Sequence, residues 1–195
     1  MVNRKLPDYV THYYVAGRPP FLNVSELSDT AWEVTRRALA SERSEGSSFR
    51  VFGRRYLELR RATEAKLRDL FIAAGGKPER HAPHYFVLGS SDWFRGLAEE
   101  MRELVIPMAA LPDNATSMTI PDSMTAMGLG GDFGIPVASK PHHGRVFLRS
   151  EFESAVETFG IPEGQPGNYG GYQYRSFEFY AEVQVWSDAV LTFRT

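Results

Sequence analysis

The chain has no cysteine. Disulfides, a thiolate metal site and a cysteine nucleophile are therefore excluded. It has no apolar run long enough to cross a bilayer as a helix, and its opening, MVNRKLPDY, lacks the apolar run of a signal peptide. These absences lead to the expectation of a cytoplasmic protein with no membrane partner. Several signature motifs are also missing: a Walker A loop, a dinucleotide GxGxxG after a strand, HExxH and GxSxG. Whatever chemistry the chain performs must come from side chains brought together by the fold.

What is present suits a single globular domain over residues 1–195. A chain of this length can bury a sizeable core, and 43% of its residues are apolar. The net charge of −2 is unevenly spread. Residues 1–80 carry 15 Lys or Arg against 10 Asp or Glu, and residues 81–195 carry 7 against 14. A basic first part can meet the phosphates of a nucleotide or a nucleic acid, or its arginines can pair with glutamates on a solvated helix face.

Val10–Val15 is β-branched and aromatic and predicts a strand. Ser28 or Asp29 caps a helix that runs to about Ser44. Phe52–Ala74 is the strongest helix. Its apolar face comprises Phe52, Tyr56, Leu59, Thr63, Leu67, Leu70, Phe71 and Ala74, and its arginines lie off or beside that face. Gly75-Gly76 stops it, and Glu64 and Arg68 are spaced to pair. Pro83–Gly89 predicts a strand. Ser90-Ser91-Asp92 then caps a short helix with Trp93, Leu97, Met101 and Leu104 on one side. Leu104–Met108 predicts an edge strand or strand end because of Pro107, and Ser117–Ile120 another strand. Asp122–Gly144 is a long glycine-rich loop. Ser150 and Glu153 form a capping box for a helix ending at Gly160. Gly160–Tyr174 is a second flexible stretch.

The last predicted strand is Phe177–Trp186. Phe177, Phe179, Ala181, Val183 and Val185 alternate with Glu178, Tyr180, Glu182, Gln184 and Trp186, which is the period of a strand with one buried face. Glu182 lies at the centre of the mixed face, as a solvent-facing residue or as a positioned catalytic group. Strands and helices alternate without βαβ regularity. The fold class expected is therefore α+β, with a bent, mainly antiparallel or mixed sheet flanked by helices. Of the later histidines, His81-x-x-His84 fits no common zinc spacing, and His142 and His143 point to opposite sides of an extended chain; no metal site is expected.

One ordered set stands out: VTHYY at Val10–Tyr14, PHYFVLGSSDWF at Pro83–Phe94, LVIPM at Leu104–Met108, TIPDSMTAM at Thr119–Met127 and YAEVQV at Tyr180–Val185. This order resembles the DarT-type DNA ADP-ribosyltransferases over most of the chain, although the turn lacks the family's usual glycine after Asp122. The resemblance implies an ADP-ribosyltransferase-like fold. It also implies an enzyme that takes NAD as substrate and modifies a nucleic acid or another acceptor. Glu182 would be the catalytic carboxylate, and Thr11, His12, Tyr85 and Asp122 would lie around the NAD. An arginine, Arg55 or Arg61, would grip the pyrophosphate or the acceptor. Two other readings stand beside it: a non-catalytic domain binding nucleotide or protein, and a histidine-based hydrolase. The oligomeric state and the identity of the acceptor are not encoded in any motif.

Overall fold

The computed structural model of the chain describes residues 3–133, 139–165, 167, 169–172 and 178–193. The elements are β1 (Tyr9–Val15), α1 (Asp29–Ser44), α2 (Tyr56–Ala73), β2 (His84–Leu88), α3 (Asp92–Arg95), β3 (Met101–Pro107), β4 (Thr116–Thr119), α4 (Ser123–Met127), β5 (Phe147–Leu148), α5 (Phe152–Phe159) and β6 (Glu182–Val185), with short 3-10 turns between some of them. The class is α+β. Six strands form one open sheet in the order β3-β1-β2-β6-β4-β5, and every neighbouring pair is antiparallel. The strand latest in sequence thus fills the centre of the sheet.

Local signals account for most of these elements. Ser28 Oγ accepts the Ala31 N–H at 3.2 Å and starts α1. Beyond α2, a Cβ on Gly76 would lie 2.3 Å from the Phe71 ring, so the chain can turn there only with glycine. Pro107 ends β3 on the sheet edge, where a missing N–H is tolerated.

Several expectations are corrected. The strongest helix starts at Tyr56 rather than Phe52. The helix after Ser91 is a single turn, Asp92–Arg95, and Met101 and Leu104 belong to β3. Gly96 closes that turn, and the Tyr169 hydroxyl fills the place of its missing side chain, 2.2 Å from an ideal Cβ. The helix before Gly160 is led in not by Ser150 and Glu153 but by Glu151, whose carboxylate accepts the Leu148 N–H at 2.8 Å. The last strand begins only at Glu182; residues 178–181 approach it without regular structure, and Phe177 lies outside the described residues. Parts of the two glycine-rich stretches, including Tyr174, also fall outside them. Within the first, Ser123–Met127 is helical rather than loop.

Strand alternation gives the sheet two unlike faces. On one, Val10, Phe86, Met118, Val183 and Val185 pack with Phe152 and Val156 of α5. The other is covered by α2 and α4 at one end, where Trp186 stacks on Phe71 with ring centroids 5.9 Å apart. Further along, it is covered by an aromatic group that includes Tyr13, Trp93 and Tyr180. No helix among the described residues is long and apolar enough to cross a membrane.

Candidate active site

The sheet opens beside β1. β1 pairs with β3 along seven residues, but with β2 only through Val10–Leu88 and Thr11–Val87. Beyond Thr11 the β1–β2 ladder stops, and a cleft of about 590 Å³ lies over this gap. Its walls come from β1, β2, α1, α2 and the segment between β1 and α1, and Tyr180 and Glu182 reach it from the strand latest in sequence. A cleft of this size falls in the range of small-molecule sites, roughly 300–1,000 Å³.

Glu182 is 4% exposed, so it is not a plain surface residue. The register places it between Val87 of β2 and Thr119 of β4, in the stiff middle of the sheet. Its Oε1 accepts the Ser123 N–H at 3.3 Å and the Gln184 side-chain amide at 3.1 Å. The same amide donates to Thr119 Oγ1 at 3.0 Å, while Gln184 Oε1 accepts from the Ser117 hydroxyl at 2.9 Å. Trp186 Nε1 donates to Ser117 Oγ at 2.9 Å. This chain of bonds locks the carboxylate's rotamer and leaves Oε2 without a hydrogen-bond partner among the described residues. A buried polar network of this kind is rigid when its members are satisfied.

Arg60 supplies a largely buried cation. Its side chain is 11% exposed and lines the cleft. The guanidinium lies over the Tyr85 ring, 3.7 Å from the centroid, and Nε donates to Glu64 Oε1 at 3.2 Å. Glu64 Oε1 also accepts from the Tyr85 hydroxyl at 2.8 Å and the Ser25 hydroxyl at 3.0 Å. Burial opposes the charge on Arg60, yet Tyr85, Tyr56, Glu182 and Glu64 together hold its pKa well above the ordinary value. Burial pushes the Tyr85 phenol well up, with Arg60 opposing and the two carboxylates adding. The Tyr180 phenol is also raised by burial, then by Asp122 and Glu182. The cleft floor is therefore a fixed, largely buried arrangement of charges and dipoles, where each is worth more than in water.

The sequence-predicted residues divide into two groups. Glu182, Thr11, His12 and Tyr85 all line the cleft. Asp122 is buried beside it and within electrostatic reach of Glu182 and Arg60. Thr11 and His12 spend their hydrogen bonds within the fold. Thr11 Oγ1 is buried and donates to the Gly89 carbonyl at 2.6 Å. His12 Nδ1 lies 2.9 Å from the Tyr85 carbonyl, and Nε2 accepts the Phe21 N–H at 2.9 Å. Those bonds fix the neutral tautomer with its proton on Nδ1 and occupy both nitrogens. His12 bridges the gap where the ladder stops, and only its ring remains to touch a ligand.

Arg55 and Arg61 do not line the cleft. Arg55 binds Glu58 and the Asp132 carbonyl on the exposed side of α2. Arg61 ties Asp29 and the carbonyls of Ser25 and Leu27 from outside. Arg60 between them turns inward because α2 packs over the sheet. Its partner Glu64 is one turn on, and Arg68 donates instead to the Arg80 carbonyl. Arg60, Glu64, Tyr56 and Tyr180 were missed in the sequence. The available signal was Tyr56-Arg60-Glu64 at four-residue steps, beside the buried positions Thr63, Leu67 and Phe71 of α2. Among the later histidines, His84 faces Asp188 at 2.9 Å, while His142 packs on Phe159 and His143. No group of three His, Cys, Asp or Glu among the described residues could hold a metal ion. Comparison with protein-family models, with curated proteins and with solved structures finds no match for the chain.

Proposed function

We propose that the chain is an ADP-ribosyltransferase that takes NAD as substrate and passes its ADP-ribose to a nucleic acid or another acceptor. The observation that carries this reading is the convergence of Glu182, Arg60 and Tyr85 on the floor of one cleft. In this reaction the C1′–N bond to nicotinamide breaks, nicotinamide leaves as a neutral molecule, and positive charge develops on the ribose. A rigid carboxylate near that charge stabilises it, as in glycoside hydrolysis. Glu182 has this role, and its oxygen Oε2 takes the proton that the acceptor loses as its nucleophile bonds to C1′. Arg60 lies where a guanidinium would draw the pyrophosphate into the cleft. The aromatic rings of Tyr85 and Tyr180 offer faces to a flat nicotinamide.

Glu182→Gln retains an acceptor for Ser123 and Gln184 but removes the charge. Transfer from labelled NAD should fall on the order of 100- to 1000-fold, with NAD affinity and thermal stability little changed, because the interaction strengthens mainly in the transition state. The assay offers labelled NAD with separate pools of DNA, RNA and protein. Equal single-turnover rates for parent and variant would return Glu182 to a structural role, and NAD binding without turnover would favour a binding domain.

A further inference from the structure

Asp122 and Glu182 are two buried carboxyl groups joined through one turn. Asp122 caps α4: its Oδ1 accepts the N–H groups of Met124 and Thr125 at 3.0 and 3.2 Å. The next residue, Ser123, gives its own N–H to Glu182. Asp122 Oδ2 is buried and has no hydrogen-bond partner, and the adjacent Ser123 Oγ is in the same condition. An ionised carboxylate with one oxygen sealed and unpaired is unfavourable, and a second carboxylate beside it makes it more so. Glu182 differs in reaching the cleft, where solvent or a ligand can meet its charge.

We propose that Asp122 and Glu182 work as a divided carboxyl pair, in which Asp122 Oδ2 holds the proton and Glu182 keeps the negative charge at the cleft floor. Asp122 is thus a positioning residue. Protonated, it still caps α4 through Oδ1, and it places no second charge behind Glu182. The charged and titratable groups around it are Glu182 on β6, Arg60 on α2 and Tyr180 just before β6; Lys66 of α2 binds the far end of α4 through the Met127 carbonyl. Burial, followed by the charge of Glu182, pushes the Asp122 carboxyl up to about 7, with its helix-capping bonds and Arg60 opposing. Pairs of carboxyls whose surroundings drive them apart commonly divide acid and anion roles between them.

The test begins with the free protein and needs no substrate. A carbon-13 titration of the side-chain carboxyls should show Asp122 ionising near neutral pH; ionisation in the ordinary carboxylate range would overturn the pairing. Asp122→Asn provides a second measurement, since the amide keeps the cap and puts a donor where the O–H is placed. The folded parent holds a proton that the unfolded chain releases, so the parent should lose stability as pH rises from the ordinary value of 3.8 through about 7. Asp122→Asn should lack this decline and gain on the parent as pH rises; parallel stability curves would overturn the proposal. One further arm rests on the transferase reading: the pH profile of transfer should fall off near neutral pH in the parent, and that inflection should be absent from the profile of Asp122→Asn, whatever its absolute rate. Absence of turnover in both proteins counts against that reading alone, because the titration and the stability curves are independent of it.

Discussion

The two faces of the central sheet are built to different rules. On one, Val183 and Val185 meet Phe152 and Val156 in a mainly apolar layer. On the other, Glu182 and Gln184 from the same strand lie equally buried, in a network with Ser117, Thr119 and Trp186. The apolar layer stabilises by removing surface from water, roughly 25 cal/mol for each Å². The polar face gains little net energy, because each hydrogen bond replaces one made to water. A sheet that needed only stability would have two apolar faces. Keeping carboxylates and an arginine dry on one face makes sense if their fixed charges act on a ligand.

The largest effects should separate the faces. Phe152→Ala opens a cavity and should cost about 3–5 kcal/mol. Arg60→Ala should cost a similar amount for a different reason: it leaves Glu64 charged and buried without its partner, at about 3–5 kcal/mol. The second loss should be partly recoverable. Adding Glu64→Gln to Arg60→Ala removes the stranded charge, so the double variant should be more stable than Arg60→Ala alone. No second substitution at a charged site should rescue Phe152→Ala. Denaturant unfolding of the four variants measures this, and strict additivity of Arg60→Ala and Glu64→Gln would break the contrast.

A smaller effect should appear with pH at the rim of the apolar face. His84 Nε2 meets Asp188, while Nδ1 is buried with no partner. Burial lowers the His84 pKa below its ordinary value of 6.5, with Asp188 opposing. Folding thus favours the neutral form. Its contribution is therefore present above about 6.5 and lost as pH falls below it. Unfolding curves taken above and below this point should show the loss in the parent and a flatter profile in His84→Gln. The smallest effects are expected outside both layers. Arg55→Ala and Arg61→Ala should each change stability little, as surface changes usually do, and on the transferase reading should leave NAD binding intact. Weakened binding in either variant would move the cationic part of the site from Arg60 to the exposed side of α2.

Much of the frame was legible locally. The cap at Ser28, the stop at Gly75-Gly76, the edge position of Pro107 and the helical period of α2 are short-range signals, and each appears in the structure, although α2 starts at Tyr56 rather than Phe52. The errors were also local in origin. Gly96 ended a helix that its apolar spacing prolonged, because Tyr169 needed the space. Glu151 took the lead-in role given to Ser150 and Glu153, because the helix began after it.

By itself, the sequence determined the periods of strand and helix, the opposite charge of its two parts, and the alternation that sets Glu182 apart from Val183 and Val185. Such patterns depend only on a residue and its near neighbours. The tertiary structure decided which surfaces meet. It covered both faces of the strand latest in sequence, turned Arg60 inward and Arg55 and Arg61 outward, and stopped the β1–β2 ladder at Thr11, where the cleft opens. Burial is a property of what packs opposite a residue. For Glu182 those neighbours lie in β2, β4 and the turn into α4, each about 60 or more residues away in the chain, beyond the reach of any local pattern.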